Sequence, residues 1–259
     1  MAYTNDRAGL TDLLTLAIDI GGSHLKAAVL NASGKMSTDP VRVKTPKPAT
    51  PEAVVAALIS LSRRLGQFDR VSIGFPGVVR ADFVLTAPNL GTKEWHGFKL
   101  GAVLAEALGK PARMLNDASI QGLGVITGRG LECVLTMGTG MGFALFEEGR
   151  IAPHLELSQH PIRRRKTYDE YVGEAALEAI GRRRWNKRVR KIIGILETVI
   201  TYDTLYIGGG NAKLIEPPLP ANVKIVSNTA GITGGVCLWD GRMDHAFAEQ
   251  PPPLAEQPA

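Results

Sequence analysis

The sequence predicts an α/β protein, and three observations carry that reading. Short apolar runs rich in Val, Ile and Leu stop at glycine or proline, as buried strands do. Stretches with apolar residues at helical spacing lie between them. Strands followed by helix then recur in a second round, the order expected of an α/β fold. A chain of 259 residues with 44% hydrophobic and 21% charged residues can bury one large core or two modest ones.

The first twelve residues are polar. Residues 13–22 (LLTLAIDIGG) form a strand ending in a glycine turn, and KAAVLNASGK a second strand with a hairpin through Asn31-Ala32-Ser33-Gly34. VRVKTP is a third strand, stopped by Pro46 and Pro48. Thr50, Pro51 and Glu52 are the cap, first-turn proline and acid of a helix that carries Val54, Val55, Leu58, Leu61 and Leu65. RVSIGFPGVV is a buried strand, FKLGAVLAEALG a helix closed by Gly109, and ARMLNDAS a strand delivering Asn116-Asp117 to its end. ECVLTMGTGMGFALFEEG is a strand pair around a glycine turn, and helical spacing runs through residues 168–200. TLYIGGGNAKLI is strand, glycine turn and helix start; VKIVSN is the last strand and TAGITGGVCLW the last helix. A break near residues 110–115 gives a smaller domain over 13–113 and a larger one over 114–240. The triple-proline segment 241–259 is expected to be disordered.

A net charge of +5 suggests an anionic partner. It is concentrated in two runs, Arg163-Arg164-Arg165-Lys166 and the set Arg182, Arg183, Arg184, Lys187, Arg188, Arg190 and Lys191. A nucleotide, a polyphosphate, a nucleic acid or a merely solvated helix face each fits such runs. Cys133 and Cys237 lie in apolar runs without zinc-ligand spacing, so they read as core residues and no structural zinc is expected. The start of the chain lacks a signal-peptide layout and no run reaches membrane-spanning length, so a cytoplasmic location is expected.

Four motifs suit phosphate and hydroxyl chemistry. Asp19-Ile20-Gly21-Gly22-Ser23, with Lys26 three residues on, ends a buried strand where backbone N–H groups and a hydroxyl can meet a phosphate chain. A plain hairpin turn has the same composition. Asn116-Asp117 offers a strand-end carboxylate able to take a proton from an alcohol, or else a helix cap. Gly138, Thr139 and Gly140 allow close backbone approach to phosphates, but the chain continues as strand, which excludes the dinucleotide fingerprint. Gly208-Gly209-Gly210 follows a strand, where a base or phosphate can rest on bare backbone.

The ordered series D-x-G-G-S, F-P-G-V-V, N-D-A, G-T-G-x-G, E-L, G-G-G and N-T-A-G resembles the ROK family of sugar kinases and repressors, over about residues 14–240. The phrases TPKPATPEAV, TAPNLGTKEW, LNDAS and LTMGTGMG are similar to its polyphosphate glucokinase branch. The resemblance implies two actin-like (ribonuclease H-like, ASKHA) domains around a ligand cleft, and transfer from polyphosphate or ATP to the 6-hydroxyl of a hexose. It implies Asp117 as general base, and donor contacts from Asp19, Gly21, Gly22, Ser23, Gly138, Thr139 and Gly140; Lys26 and Gly208-Gly209-Gly210, read from the motifs themselves, are expected at the donor as well. Asn116 and Glu156 would hold sugar hydroxyls, and Mg2+ would travel with the donor phosphates. The family's E-x-G-H reads Glu156-Leu157-Ser158-Gln159 here, so Gln159 or the neighbouring His160 is expected at the sugar. Glu170, in Tyr168-Asp169-Glu170, is the expected second sugar carboxylate. A homodimer without nucleic-acid or membrane partners is expected; only about twelve residues precede the first strand, too few for a repressor's DNA-binding module. A sugar- or phosphate-binding protein without turnover is the alternative.

Overall fold

Two five-stranded sheets with one strand order organise the chain. The computed structural model describes residues 13–227 and 230–247. The first sheet holds β1 (Thr15–Ile20), β2 (His24–Leu30), β3 (Val41–Lys44), β4 (Arg70–Phe75) and β5 (Ala112–Asn116), in the order β3-β2-β1-β4-β5. β1 pairs antiparallel with β2 and parallel with β4, and β4 runs parallel to β5. Two helices make the crossovers, α1 (Pro51–Ser62) and α2 (Leu100–Leu108). The Thr50 hydroxyl caps α1 by accepting from the Ala53 N–H, and Val54, Leu58 and Leu61 face the core. Gly109 closes α2 with φ +64°, a left-handed turn that glycine adopts without strain.

The linking helix α3 (Asp117–Leu123) leads into the second sheet: β6 (Leu131–Met137), β7 (Met141–Glu147), β8 (Arg150–Ile151), β9 (Thr204–Gly208) and β10 (Val223–Ile225). Its order is β8-β7-β6-β9-β10, again with two antiparallel pairings followed by two parallel ones. The fold is that of two related α/β halves. Helical spacing over residues 168–200 divides in the structure. Tyr168–Val172 forms α4 and Glu174–Ile200 forms α5, kinked at Gly181, whose φ of 75° is not helical. Trp185 and Val189 are fully buried on α5, so the second basic run is one face of an amphipathic helix.

Three boundaries differ from the sequence expectation. β5 extends to Asn116 and pairs with β4 throughout, so the first sheet ends beyond residue 113. The final segment folds back onto the first sheet as helix Ala230–Thr233 and 3-10 turns Gly234–Trp239 and Gly241–Ala246. There the Ser72 hydroxyl donates to the Gly235 carbonyl at 2.7 Å, and the Trp239 ring lies under the Arg113 guanidinium at 4.7 Å. Residues 241–247 are therefore ordered, not a loose tail: Met243 is 1% exposed because it fills the apolar layer around α3 with Leu238 and Phe146. Residues 248–259, the first twelve residues, and Asn228 and Thr229 of N-T-A-G lie outside the described residues.

Candidate active site

The cleft between the two halves starts where β5 hands over to α3. Asn116 is the N-cap: its side-chain oxygen accepts from the Ala118 and Ser119 N–H groups at 3.0 and 3.3 Å. Its amide nitrogen donates to the Gly77 carbonyl at 3.1 Å. Both expectations for Asn116-Asp117 thus divide between the two residues. Asn116 fastens the helix, although it also lines the cleft, and Asp117 at the first helical position is left facing the cavity of about 400 Å³. Burial pushes the Asp117 carboxyl up to about 7, helped by Asp19 and Glu156 and opposed by the Ala118 N–H and His154. A carboxyl poised there exchanges a proton near neutral pH, which suits a general base.

Each half contributes a glycine turn to the opposite rims. In the first, Asp19 and Lys26 face each other across β1 and β2 and pair at 3.0 Å. Gly21, Gly22 and Ser23 follow, and Gly22 is required by packing, since a Cβ there would stand 2.9 Å from that of Asn89. In the second half, Gly138, Thr139 and Gly140 join β6 to β7. A Cβ on Gly138 or Gly210 would meet nothing within 4 Å, so both backbones stand open to the cavity.

Carboxylates on the remaining wall are wired together. Glu156 accepts from His154 Nε2 at 3.2 Å and from the Ser158 hydroxyl. Burial alone would push its carboxyl up, but those two hydrogen bonds and the His154 charge hold it below its usual range. Asp169 accepts from the Met141 N–H at 2.6 Å and from Gln159 at 3.4 Å. Burial raises its carboxyl, with the Met141 N–H opposing and the Glu156 charge adding to the rise.

Asp19, Gly21, Gly22, Ser23, Lys26, Asn116, Asp117, Gly138, Thr139, Gly140, Glu156, Gly209 and Gly210 therefore converge on one cavity. Four expected residues do not line it. Gly208 is buried behind Gln121, whose Nε2 occupies the space a Cβ would need. Gln159 is exposed and reaches the site only through Ser158 and Asp169. His160 turns toward the Tyr168 ring, 6.3 Å between centroids. Glu170 is held by its own helix: it accepts from the Thr167 N–H while the Thr167 hydroxyl accepts from the Glu170 N–H. Its neighbour Asp169 faces the cleft instead. Threonine followed three residues later by glutamate is a capping-box signature, so the sequence held the clue. His154, Asn89, Gln121 and Ser158 were also missed; only the His-x-Glu spacing of His154 gave any signal.

Among the described residues no helix is long and apolar enough to cross a membrane. The ROK family model matches residues 15–153, more than half of the chain. The chain is 30% identical to the polyphosphate glucokinase of Mycobacterium leprae over 93% of its length and 79% of that protein's. Among solved structures it is similar to the inorganic polyphosphate/ATP-glucomannokinase of Arthrobacter sp. strain KM, at a TM-score of 0.79 and 28% identity, over 87% of this chain and 98% of that one. The ROK glucokinase of Streptomyces griseus, crystallised with glucose and AMPPNP, shares the fold at a TM-score of 0.70 and 18% identity, with 87% and 98% covered. With the paired sheets, the shared cleft and the ordered motifs, these likenesses establish that the chain belongs to the ROK family.

Proposed function

We propose that the protein transfers a phosphoryl group from polyphosphate, ATP or both to the 6-hydroxyl of a hexose, glucose first, with Asp117 as general base. The observation that carries this reading is the Asp117 carboxyl, poised at about 7 on the floor of a cleft whose rims are bare glycine backbone. The carboxylate takes the proton of the acceptor hydroxyl as its oxygen attacks the terminal phosphorus, and the bond to the donor's bridging oxygen breaks. Glu156, kept ionised by His154 and Ser158, and Asp169 accept from other sugar hydroxyls. The uncovered backbone at Gly138 and Gly210 leaves room for phosphate oxygens, the Gly138 N–H itself donating to the Gly140 carbonyl at 3.0 Å, and Lys26 adds charge nearby.

Asp19 is the carboxylate at the glycine turn, and its pairing with Lys26 leaves it suited to a single contact with Mg2+. The ion's other ligands would be donor phosphate oxygens and water, and it would neutralise donor charge. The names of the similar proteins, polyphosphate glucokinase and polyphosphate/ATP-glucomannokinase, support both donors and a gluco- or manno-configured acceptor. Polyphosphate also suits the basic helix. Arg182, Arg188 and Arg190 bind backbone carbonyls within the fold, whereas Arg183, Arg184 and Lys187 are exposed beside a second cavity of about 370 Å³. A cytoplasmic homodimer is part of the same reading.

The test is a panel of hexoses against ATP and polyphosphate, each with Mg2+, following the phosphorylated sugar directly. Product from at least one pair is expected. Hexose binding by calorimetry with no product from any pair would instead establish a binding protein without turnover.

A further inference from the structure

Gln121 stands one helical turn beyond Asp117 on α3, so both side chains share the helix face turned to the cleft. It is 5% exposed, and its Nε2 is buried without a hydrogen-bond partner. Buried amides in folded proteins are nearly always paired, and an unpaired one destabilises the free protein. A side chain present only to fill space would be served by an apolar residue of similar length.

The neighbouring elements make room for this amide. At the end of β9 a Cβ on Gly208 would fall 2.1 Å from Nε2, so glycine there admits the carboxamide. Val226, just after β10, closes the far side of the same gap. Gly209, Gly210 and Gly231 continue the cleft wall beside it, and Gly210 and Gly231 have open space where a side chain would stand.

We infer that Gln121 is a donor-binding residue, whose amide N–H donates to a non-bridging oxygen of the donor's phosphate chain. This rests on the phosphotransferase reading above. The ligand supplies the acceptor that the protein lacks, and a neutral amide binds that oxygen without adding another charge to the cleft.

Gln121→Met removes the donor while keeping length and bulk. Donor KM is expected to rise about ten-fold, the loss of one hydrogen bond to a charged group, for ATP and polyphosphate alike. Hexose KM should not change, and the ligand-free variant should unfold at the same temperature as the unsubstituted protein or higher. Gln121→Glu, which sets a carboxylate against the phosphates, should raise donor KM further. An unchanged donor KM, an equal rise in hexose KM, or a rise confined to ATP would each overturn the inference; the last would move the contact to the nucleoside. A lower unfolding temperature in Gln121→Met, with donor KM intact, would make Gln121 a packing residue. If the unsubstituted protein transfers no phosphate, the functional reading fails by itself. Calorimetric binding of ATP and medium-chain polyphosphate to both forms then decides the role of Gln121, with equal affinities ruling it out.

Discussion

The two halves of the molecule repeat one strand order, yet they bring different chemistry to the cleft. At the first hairpin of each sheet a glycine turn faces the cavity. In the first half that turn follows Asp19, paired across the hairpin with Lys26. In the second it follows Thr136, whose hydroxyl accepts from the Gly142 N–H, and its carboxylate comes from outside the sheet as Asp169 binding the Met141 N–H. The fifth strand of the first half delivers Asp117, while the fourth strand of the second half delivers bare glycine at Gly209 and Gly210. One scaffold, used twice, thus supplies charge on one side and open backbone on the other. Phosphoryl transfer needs both, because position and charge stabilisation do most of the catalytic work.

The sharpest break in that comparison is Asp117→Asn. It should lower kcat by about 10²–10⁴-fold, the range for loss of a general base, with the fold retained because Asn116 rather than Asp117 caps α3. In the unsubstituted enzyme, activity should rise with pH through about 7 as the carboxyl ionises. The stability effect has the opposite sign. A carboxyl raised from 3.8 to about 7 binds more protons when folded, so stability falls as pH rises across that window. Asn has no such titration. Above pH 7 the variant should be more stable, by up to about 4 kcal/mol for a shift of that size, and the advantage should vanish near pH 4. Thermal unfolding at both pH values checks this; a variant less stable at pH 8 would contradict the burial of Asp117.

Next in size is a change to the second half alone. Gly209 has φ +89°, and a Cβ there would stand 2.3 Å from the Met137 carbonyl oxygen at the end of β6. Gly209→Ala should therefore cost about 2–4 kcal/mol, from left-handed strain together with backbone displacement. Urea unfolding measures it. A loss below about 0.5 kcal/mol would mean that this glycine serves ligand binding and not the backbone path.

The glycine motifs were legible in the sequence because turns at strand ends have a fixed chemistry, and the alternation of strand and helix was legible because each has its own period. Asp117 was legible only through its place in an ordered series, since a local reading could not divide capping from catalysis between Asn116 and Asp117. Less legible was the wall from residue 159 to 170, since Glu156 lines the cavity as expected but Gln159, His160 and Glu170 do not. Side chains there are aimed by a 3-10 turn and a five-residue helix, where adjacent residues point apart and spacing carries no direction. The role of Gln121, and its contact with Gly208, were invisible for another reason: that contact joins α3 to β9 across 87 residues of chain. The return of residues 230–247 to the first sheet is equally non-local, fixed by Trp239 between Arg70 and Arg113 and not by any pattern within the segment.

Asp169 and Glu170 give a paired test of that wall, with intermediate effects. On the proposed role of Asp169 as a partner of sugar hydroxyls, Asp169→Asn should raise hexose KM about ten-fold and leave donor KM unchanged, the residue lining the cleft. Glu170→Ala should leave both constants unchanged and lower stability by about 1 kcal/mol through loss of the capping box. Exchange of the two outcomes would return the sugar role to Glu170.

The smallest effect on stability is expected at Gly138, and it isolates what an open glycine contributes. Gly209 and Gly138 lie on either side of Met137, one pressed against its carbonyl and the other with nothing within 4 Å of a Cβ. Gly138→Ala should therefore change unfolding free energy by no more than about 0.5 kcal/mol. The added methyl projects into the cavity, and on the proposed placement of the donor phosphates against this loop donor KM should rise several-fold while hexose KM stays constant. A stability loss with unchanged kinetics would place this glycine with Gly209, among residues the backbone requires. The expected result separates glycines that shape the turn from those that leave room for phosphate, a distinction the run Thr136-Met137-Gly138-Thr139-Gly140 does not display in its letters.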